Sequence, residues 1–419
     1  MRLHPAVIFH VEEVLREVLR FTGPADAVVS RYFREHPKLG GRERNAIAEG
    51  VFAVLRNKLS YASFAESGTG SAMRRLALLG LADVLGADSL GGLSPEESEW
   101  LHRIAQIDRH ALPVALQANL PPWLLDKLVA RDGEQTTLEL AAALNRPAPL
   151  DLRVNTLKAK RDEALEQLAK AMIECEPTPY SPLGIRLKKK PALQNLTIFK
   201  DGAIEVQDEG SQLLAHILGA KRGEMVVDFC AGAGGKTLAL GAAMRNTGRL
   251  YAFDVSDKRL AKLKPRLARS GLSNVHPVAI AHENDAKVKR LAGKIDRVLV
   301  DAPCSGLGTL RRNPDMKWRQ TPESVLELNA KQASILASAA RLVKPGGRLV
   351  YATCSLLDEE NEAIASQFLA SHADFALIPA KVVLEEGKIP LEMGDYLKLS
   401  PQIHQTDGFF AAVFERKGQ

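Results

Sequence analysis

The spacing of apolar residues changes twice along the chain, and residues 1–140 have the spacing of helices. Apolar side chains recur there every three or four positions, most clearly in Val7–Leu19 and Ile47–Leu55, which is the period of an amphipathic helix. Ser94–Glu97 adds a capping box with proline at the first helical position. We therefore predict an all-helical N-terminal domain covering residues 1–140.

Between residues 141 and 220, strand-like alternation replaces the helical period. Leu150–Thr156 and Gly184–Leu187 alternate in polarity, Arg161–Met172 has a helical pattern, and prolines between positions 177 and 182 break the chain. A further helix opens at Gln207 and runs to Leu218. We predict a small α+β module over residues 141–220 that resembles an RRM in layout, with a plain linker domain as the alternative.

Strands and helices alternate over residues 221–419, the third predicted domain. The predicted helices cover about 237–245, 256–269, 285–292 and 322–343, and Lys344–Gly347 is predicted to be a helix stop and tight turn. This alternation implies an α/β, Rossmann-like parallel sheet with helices on both faces, which binds ligands outside the carboxyl ends of its strands. The predicted strands are Met225–Phe229, Leu250–Asp254, Val275–Ile280, Arg297–Val300 and Arg348–Thr353.

A glycine-rich turn follows the first predicted strand of this sheet. Val226–Asp228 leads into Cys230–Lys236, and a helical run of small residues follows. Glycine there allows backbone angles closed to other residues and lets a ligand lie on the main chain. A Walker loop would need glycine at Cys230, and a dinucleotide fingerprint would need its third glycine at Thr237, so neither motif is complete.

S-adenosylmethionine is the remaining common ligand of such a loop. Its ribose requires an acid at the end of the second strand, about 20 residues further on, and Asp254 supplies that acid. The alternative is that Asp254 merely caps the helix predicted over residues 256–269.

Composition places the chain among ordinary globular proteins. It has 46% hydrophobic and 25% charged residues, and it contains no apolar run of ~18 residues that would span a membrane. Glu12 and Glu13 end the short N-terminal apolar patch, so we expect no secretory signal. The four cysteines fit neither a zinc spacing nor a disulfide framework, so we expect no metal and a reduced, cytoplasmic location.

Net charge allows a polyanionic partner without requiring one. The formal charge is +6 and the pI is about 9.0. Basic clusters occur at Lys188–Lys190, Arg311–Arg312 and Lys317–Arg319, although such runs are often solvated faces. Nothing in the sequence indicates an obligate interface, so we expect a monomer.

Two cysteines follow neighbouring predicted strands. Cys304 lies in Asp301–Gly306 after the fourth strand, and Cys354 lies in Thr353–Ser355 after the fifth. Adjacent strand ends are roughly 5 Å apart, so we expect both thiols to face one pocket beside the methyl donor. A single buried cysteine is usually inert packing, but two on adjacent loops, each followed by serine, favour a chemical role.

A thiol is needed when a methyl group goes to carbon 5 of a pyrimidine, which has no lone pair. Addition of a thiolate to carbon 6 makes carbon 5 nucleophilic, and an acid near ring nitrogen 3, here Asp301, assists that addition. The carbon 5 proton then leaves and the first thiol is eliminated, a step that a second thiol could aid. This chemistry explains Cys304 and Cys354 without deciding which of them attacks.

Three motifs together resemble the Nol/Nop/Sun family of RNA 5-methylcytosine methyltransferases. They are Cys230–Thr237, Asp301–Gly306 and Thr353–Ser355, in this order and spacing. The segment from Gly40–Arg44 to Val54–Arg56 resembles a NusB-like helical RNA-binding domain. With that front end, the chain is similar to the bacterial branch of the family, which methylates a cytosine of small-subunit (16S) ribosomal RNA.

The resemblance implies a role for each matching residue. Cys354 is the attacking nucleophile, Cys304 assists product release, and Asp301 lies between the cofactor and the target base. Asp254 matches the acid that binds ribose, and Asp285 matches the acid near adenine. The implied cofactor-binding residues are Cys230, Ala231, Gly232, Ala233, Gly234, Gly235, Lys236, Asp254, Asp285 and Asp301.

Two further motifs match the family, and two positions depart from it. Arg311–Trp318 resembles the basic loop beside the family's active site, and Asp407–Phe410 resembles its last-strand motif. Gly232–Ala233 stands where the family often has Ala-Pro, which makes the loop slightly more flexible. His282–Asp285 lacks the usual glycine before its acid.

The function expected from the sequence is therefore cytosine carbon-5 methylation of RNA, with ribosomal RNA preferred. Such an enzyme takes the cytosine out of any stacked structure, and its binding to RNA weakens as salt rises. The alternatives are a methyltransferase of another RNA such as tRNA, a small-molecule or DNA methyltransferase, and a non-catalytic RNA-binding assembly factor.

Overall fold

The computed structural model describes residues 3–418, and its chain divides into two compact units. The first, here called the helical unit, comprises the chain up to Pro147 together with Thr309–Pro322. The second, here called the sheet unit, comprises Ala148–Gly308 and the chain from Glu323 onward. Among the helices of residues 3–418, none combines the length and the apolar character needed to cross a membrane.

The helical unit confirms the helical period seen in the sequence. Val7, Val11 and Leu15 of the first helix and Ile47 and Val51 of the third are buried in one core. The N-terminal part of this unit contains α1 (Ala6–Val18), α2 (Ala25–Glu35), α3 (Gly41–Arg56), α4 (Lys58–Ala65), α5 (Ala72–Leu85), α6 (Pro95–Ala105), α7 (Val114–Ala118), α8 (Pro122–Asp132) and α9 (Glu134–Leu144).

The capping box predicted at the start of α6 is present. The Glu97 N–H donates to Ser94 Oγ at 3.2 Å, and the Ser94 N–H donates to Glu97 Oε2 at 2.9 Å. The likeness of this helical region to NusB-type domains stays a prediction.

The sheet unit begins with a small four-stranded antiparallel sheet in the order β2-β3-β1-β4. Leu152 and Ile185 of this sheet pack in a separate core with Leu168, which lies in the helix Arg161–Lys170. The likeness of this module to an RRM stays a prediction. The elements are β1 (Leu150–Val154), α10 (Arg161–Lys170), β2 (Cys175–Pro177), β3 (Gly184–Leu187), α11 (Thr197–Lys200), β4 (Ile204–Val206) and α12 (Glu209–Leu218).

The remaining elements build the large sheet and its helices. They are β5 (Met225–Asp228), α13 (Gly235–Ala243), β6 (Arg249–Asp254), α14 (Asp257–Ser270), β7 (Val275–Ala279), α15 (Ala286–Lys289), β8 (Ile295–Asp301), α16 (Met316–Arg319), α17 (Pro322–Ala340), β9 (Val343–Thr353), α18 (Glu362–Ser371), β10 (Phe375–Ile378), α19 (Ala380–Glu386), β11 (Leu397–Leu399), α20 (Pro401–His404) and β12 (Phe409–Arg416). Of these, α16 belongs to the helical unit.

The large sheet is mixed, so the prediction of a parallel sheet was wrong for part of it. Strands β9, β8, β5, β6 and β7 are parallel neighbours in that order. Strand β12 pairs antiparallel with β9, and β10 and β11 pair antiparallel with β12. Strands joined by β–α–β connections are therefore parallel, whereas the C-terminal strands add to the edge of the sheet in antiparallel orientation.

Three local predictions were wrong. Lys344–Gly347, predicted as a turn, lies inside β9. Ile295 of β8 pairs with Val343, and Arg297 pairs with Arg348, so a step of two residues along β8 corresponds to five residues along β9. This irregularity is a bulge, and Gly346 within it has φ +73°. The preceding helix ends at Ala340, and α15 covers only Ala286–Lys289 of the predicted 285–292. The prolines predicted to break the chain do so, because β2 ends at Pro177 and the next strand begins at Gly184.

Residues 309–322 pack into the helical unit. The Trp318 Nε1–H donates to the Leu55 carbonyl at 2.8 Å, and the Lys317 ammonium donates to the Arg56 carbonyl at 2.9 Å and to Asn145 Oδ1 at 2.7 Å. Lys317 is fully buried, and burial lowers the pKa of its ammonium group well below the usual value. The basic loop Arg311–Trp318, expected beside the active site, is thus a structural part of the helical unit.

Candidate active site

Three cysteines lie at the carboxyl ends of neighbouring central strands. Cys230 follows β5, Cys304 follows β8 and Cys354 follows β9, and β8 pairs with both of the other strands. The structure brings Cys304 and Cys354 together, with their Sγ atoms 3.4 Å apart. The Cys354 N–H also donates to Cys304 Sγ at 3.4 Å. Cys175 lies in β2 of the small sheet.

The glycine-rich loop connects β5 to α13 and depends on two left-handed glycines. Gly232 has φ +56° and Gly234 has φ +82°. The Gly234 N–H donates to the Ala231 carbonyl at 2.8 Å, which closes the turn, and the Ala231 N–H donates to the Phe253 carbonyl at 2.9 Å. A side chain at Gly232 would enter open space, whereas one at Gly234 would meet Leu263 at 2.2 Å. The loop therefore packs on one side and leaves room for a ligand at Gly232.

Asp254 ends β6 and faces this loop. Its carboxylate accepts the Gly232 N–H and the Ser256 N–H, each at 2.8 Å, and lies 3.0 Å from Arg259 Nη2. The alternative that Asp254 merely caps the following helix does not hold, because the N-cap of α14 is Ser256, whose side chain accepts the Arg259 N–H. Asp254 thus ties the glycine loop to the end of β6.

Lys236 and Asp301 form an ion pair next to the thiols. Lys236 Nζ lies 2.7 Å from Asp301 Oδ2. Burial lowers the pKa of Lys236, but attraction to Asp301, and to a lesser degree to Cys354, outweighs burial and raises it overall. The ammonium group is therefore a fixed positive charge beside Asp301.

Asp228 lies at the end of β5 under the loop and is fully buried. The Thr237 hydroxyl donates to its Oδ2 at 2.7 Å, while Oδ1 accepts no hydrogen bond from residues 3–418. Burial is the main cause that raises the pKa of Asp228 to about 7. Burial likewise raises the pKa of the Cys230 thiol, so Cys230 is neutral. A carboxylate with an unused buried oxygen suits a ligand that brings a positive charge.

Asp285 is bonded within its own loop. Its two carboxylate oxygens accept the Ala281 and Lys287 N–H groups, each at 2.8 Å, as the N-cap of α15. These two hydrogen bonds lower the pKa of its carboxyl group. The structure places Asp285 after β7, two strands from β5, and does not bond it to the other predicted residues.

The surroundings of the Cys304 thiol keep it neutral. The contact with Cys354 is the first cause, and burial the second, that raise the pKa of Cys304 well above its usual value, and Glu360 adds to the shift. Cys304 is therefore held as a protonated thiol.

No set of three or more His, Cys, Asp or Glu side chains in residues 3–418 is arranged to hold a metal ion.

Sequence reasoning missed Glu360, a fully buried carboxylate behind the thiol pair. It accepts the Ser305 N–H at 2.8 Å, the Ser305 hydroxyl at 2.5 Å and the Ser355 hydroxyl. These are the serines that follow the two cysteines. The repeated Cys-Ser was the available signal, because two hydroxyls on adjacent loops require a shared partner when they are buried.

The chain is similar to several proteins whose families or structures are known. A family model described as 16S rRNA methyltransferase RsmB/F matches residues 215–415, and one described as a Methyltr_RsmF/B-like, ferredoxin-like domain matches residues 120–194. A protein of Synechocystis sp. named "Probable ribosomal RNA small subunit methyltransferase B" is 32% identical over 96% of this chain and 98% of its own length. A Bacillus subtilis protein of the same name is 34% identical over 73% of this chain and 68% of its own.

A solved structure covers the whole fold. The crystal structure of PH0851 superposes with a TM-score of 0.79 at 26% identity and covers 99% of this chain and 100% of its own. The fold and the glycine loop thus define a Rossmann-like methyltransferase domain behind a helical region. The chain belongs to the Nol/Nop/Sun family in its bacterial Sun, or RsmB, branch, which confirms the family predicted from the three motifs.

Proposed function

We propose that this protein transfers a methyl group to carbon 5 of a cytosine in 16S ribosomal RNA, through a covalent adduct between a cysteine and carbon 6. The observation that carries the proposal is the Cys304–Cys354 thiol pair, 3.4 Å apart at the ends of β8 and β9. Transfer to nitrogen or oxygen needs no thiol, whereas transfer to carbon 5 does. Membership of the RsmB/F family supports ribosomal RNA as the substrate.

S-adenosyl-L-methionine is the cofactor, and it supplies an electrophilic methyl group when bound. The residues of this chain fit it, because the glycine loop is open at Gly232 and the unused Asp228 oxygen can accept from an ammonium group. Cys230–Lys236 and Asp254 would hold it, with Asp285 toward the adenine. Asp228, when ionised, would place a negative charge without an ion-pair partner among residues 3–418 beside a cationic ligand.

Cys354 is the proposed nucleophile. Its thiolate forms a bond to carbon 6, and the electrons of the 5,6 double bond move toward carbon 5. The Lys236 ammonium stabilises the thiolate before attack. Asp301 is the acid proposed to serve ring nitrogen 3, and its ion pair with Lys236 connects that carboxyl group to a proton donor. The cytosine must leave its stack for this geometry to form.

Cys304 is proposed to assist release. After carbon 5 has been methylated, its proton passes to water, the electrons of that bond re-form the 5,6 double bond, and the bond between Cys354 Sγ and carbon 6 breaks, which returns Cys354 as the thiolate that began the cycle. The Cys304 thiol, 3.4 Å away, is the group placed to stabilise the departing thiolate by donating its proton in a hydrogen bond.

The test compares Cys304→Ala and Cys354→Ala on unmodified 16S ribosomal RNA with the methyl donor. Cys175→Ala is the matched control, because that thiol lies in the small sheet. We expect a denaturation-resistant protein–RNA band to accumulate with Cys304→Ala, to be absent with Cys354→Ala, and to match the wild type with Cys175→Ala.

The outcomes separate the alternatives. The reverse pattern at Cys304 and Cys354 exchanges the two roles. A band with tRNA but not with ribosomal RNA assigns another RNA substrate. Absence of methylation and adduct with every RNA, in a wild type that binds the methyl donor, overturns the proposal.

A further inference from the structure

Glu360 holds the loops that carry both thiols. On one side it binds Ser305 through its backbone N–H and its hydroxyl, and on the other side it binds the Ser355 hydroxyl. The two hydroxyls also contact each other at 3.1 Å. One carboxylate therefore touches the residue after Cys304 and the residue after Cys354.

Two amide side chains next to Glu360 form further hydrogen bonds to the same two loops. Gln332 of α17 donates through Nε2 to Glu360 Oε1 at 2.9 Å and to the Pro303 carbonyl at 3.0 Å. Asn361 accepts the Thr353 hydroxyl at 2.5 Å and donates to the Ser355 carbonyl at 3.2 Å. The residues on both sides of each cysteine are thus fixed by three adjacent side chains.

Packing alone does not explain why this group is a carboxylate. Each Glu360 oxygen accepts two donors, one pair being Ser305 N–H with Gln332 and the other the two serine hydroxyls. Four donors satisfy this buried carboxylate, and no lysine or arginine of residues 3–418 forms an ion pair with it. A buried anion disfavours a second anion nearby, and Glu360 makes two hydrogen bonds to Ser305, the residue that follows Cys304.

We propose that Glu360 is a positioning residue that sets the separation of Cys304 and Cys354, and whose carboxylate disfavours a negative charge on Cys304. The role in turnover rests on the proposed methyl transfer; the geometry and the charge effect do not. Glu360 raises the pKa of Cys304 in addition to the Cys354 contact and burial, in agreement with this assignment.

The first experiment measures the charge effect without any RNA. Rates of alkylation by iodoacetamide are followed for each cysteine from pH 6 to 10 by peptide mass spectrometry, in the wild type and in Glu360→Gln, which keeps the size of the side chain and removes its charge. We expect alkylation of Cys304 at pH 8 to rise, since a lower pKa increases the fraction of thiolate, about tenfold for each unit. Asp358→Asn, an exposed change in the same turn, is expected to leave the rate as in the wild type.

Two results overturn the charge effect. One is an unchanged Cys304 profile in Glu360→Gln. The other is an equal acceleration at Cys304 and at Cys175, which would report general loosening of the fold.

The second experiment measures position and keeps the charge. Ser355→Ala removes the tether between Glu360 and the Cys354 loop. Diamide takes two electrons from the two thiols to form a Cys304–Cys354 disulfide and is itself reduced to the hydrazine, so the rate of closure reports how often the sulfurs meet. We expect closure to slow several-fold in Ser355→Ala, and a rate equal to the wild type overturns the positioning role even if Glu360→Gln does not fold.

Turnover then connects the two proposals. In Glu360→Gln we expect the RNA adduct to accumulate and kcat to fall with KM for RNA and methyl donor unchanged, because Cys304 less often holds the proton that stabilises the departing thiolate. Normal turnover in a variant with a shifted Cys304 profile would overturn the catalytic consequence. If the wild type forms no adduct with any RNA, the proposed function fails while the two thiol measurements still decide the role of Glu360.

Discussion

Asp228 gives the site a pH dependence that an ordinary aspartate would not have. Its ordinary pKa is 3.8, and burial raises it to about 7 in the folded protein. The native state therefore binds this proton more tightly than the unfolded chain does. The stability contributed by this group is fully present below about pH 4 and is lost as the pH rises through 7.

We expect Asp228→Asn to stabilise the protein at high pH because an amide carries no charge to bury. Its advantage in unfolding free energy over the wild type should widen by on the order of 2 kcal/mol between pH 5 and pH 8. Denaturant unfolding of both proteins at the two pH values measures this difference. A constant difference would show that Asp228 does not titrate in this range. Weaker binding of S-adenosylmethionine by the variant is expected at pH 8, where the wild-type carboxyl group is charged.

At the scale of single residues, the sequence was enough to predict the site residues that lie at or just after the ends of strands. Cys304, Cys354 and Asp301 follow β8 and β9 directly, so the parallel pairing of two strands was enough to bring them together. Glu360 had no such signal, because it lies in an acidic run, Asp358–Glu360, that reads as solvated surface. Only the fold shows that its third member turns inward.

The glycine loop offers a matched pair of substitutions at the scale of one element. Gly232 and Gly234 both have positive φ, so alanine is strained by about 1–2 kcal/mol at either position. A Cβ at Gly234 also collides with Leu263, whereas one at Gly232 enters the space left for a ligand. We expect Gly234→Ala to lower stability by clearly more than Gly232→Ala, and Gly232→Ala to weaken cofactor binding beyond its effect on stability.

Thermal unfolding and calorimetric titration with S-adenosylmethionine separate these two effects. Equal losses of stability in the two variants would mean that Leu263 moves aside. Unimpaired binding by Gly232→Ala would place the ligand elsewhere on the loop.

Elements were predictable where pattern alone decides them and not where pairing does. The helical period of α1 and α3 and the strand–loop–helix order from β5 to α13 are local properties. The direction of β12 is not, because an alternating run fits a parallel or an antiparallel neighbour equally well. Lys344–Gly347 has the composition of a turn, yet β8 holds its flanks in one ladder and the extra residues bulge.

The helical unit is built from two separate parts of the chain. Trp318 binds the Leu55 carbonyl and receives the Lys58 ammonium over its ring at 4.6 Å. We expect Trp318→Ala to destabilise the helical unit by on the order of 2 kcal/mol, less than a fully buried tryptophan would cost, and to increase amide exchange at the end of α3.

Hydrogen exchange with mass spectrometry measures this change locally. Arg319→Ala is the control, since its ion pair with Asp315 is partly exposed and should contribute less than ~1 kcal/mol. Unchanged exchange in α3 of Trp318→Ala would contradict a structural role of the segment.

At the scale of the whole molecule, composition and motif order predicted which kinds of domain occur but not which residues belong to each. The contact of Trp318 with Leu55 joins positions more than 250 residues apart, and no local pattern reports such a partner. The resemblance of Arg311–Trp318 to the family's basic loop instead suggested a place beside the active site. Lys317 is buried against carbonyl and amide oxygens, so part of that positive charge serves the fold.

The return of residues 309–322 to the helical unit sets an order of events during synthesis. The ribosome makes α1–α9 first and then about 160 residues of the sheet unit before it reaches this segment. At ~5–20 residues per second the delay is roughly 10–30 s, during which the carbonyls at the end of α3 lack their partners. Helices α1–α9 are thus translated before the sheet unit, but the helical unit that contains them is complete only after much of the large sheet has been synthesised.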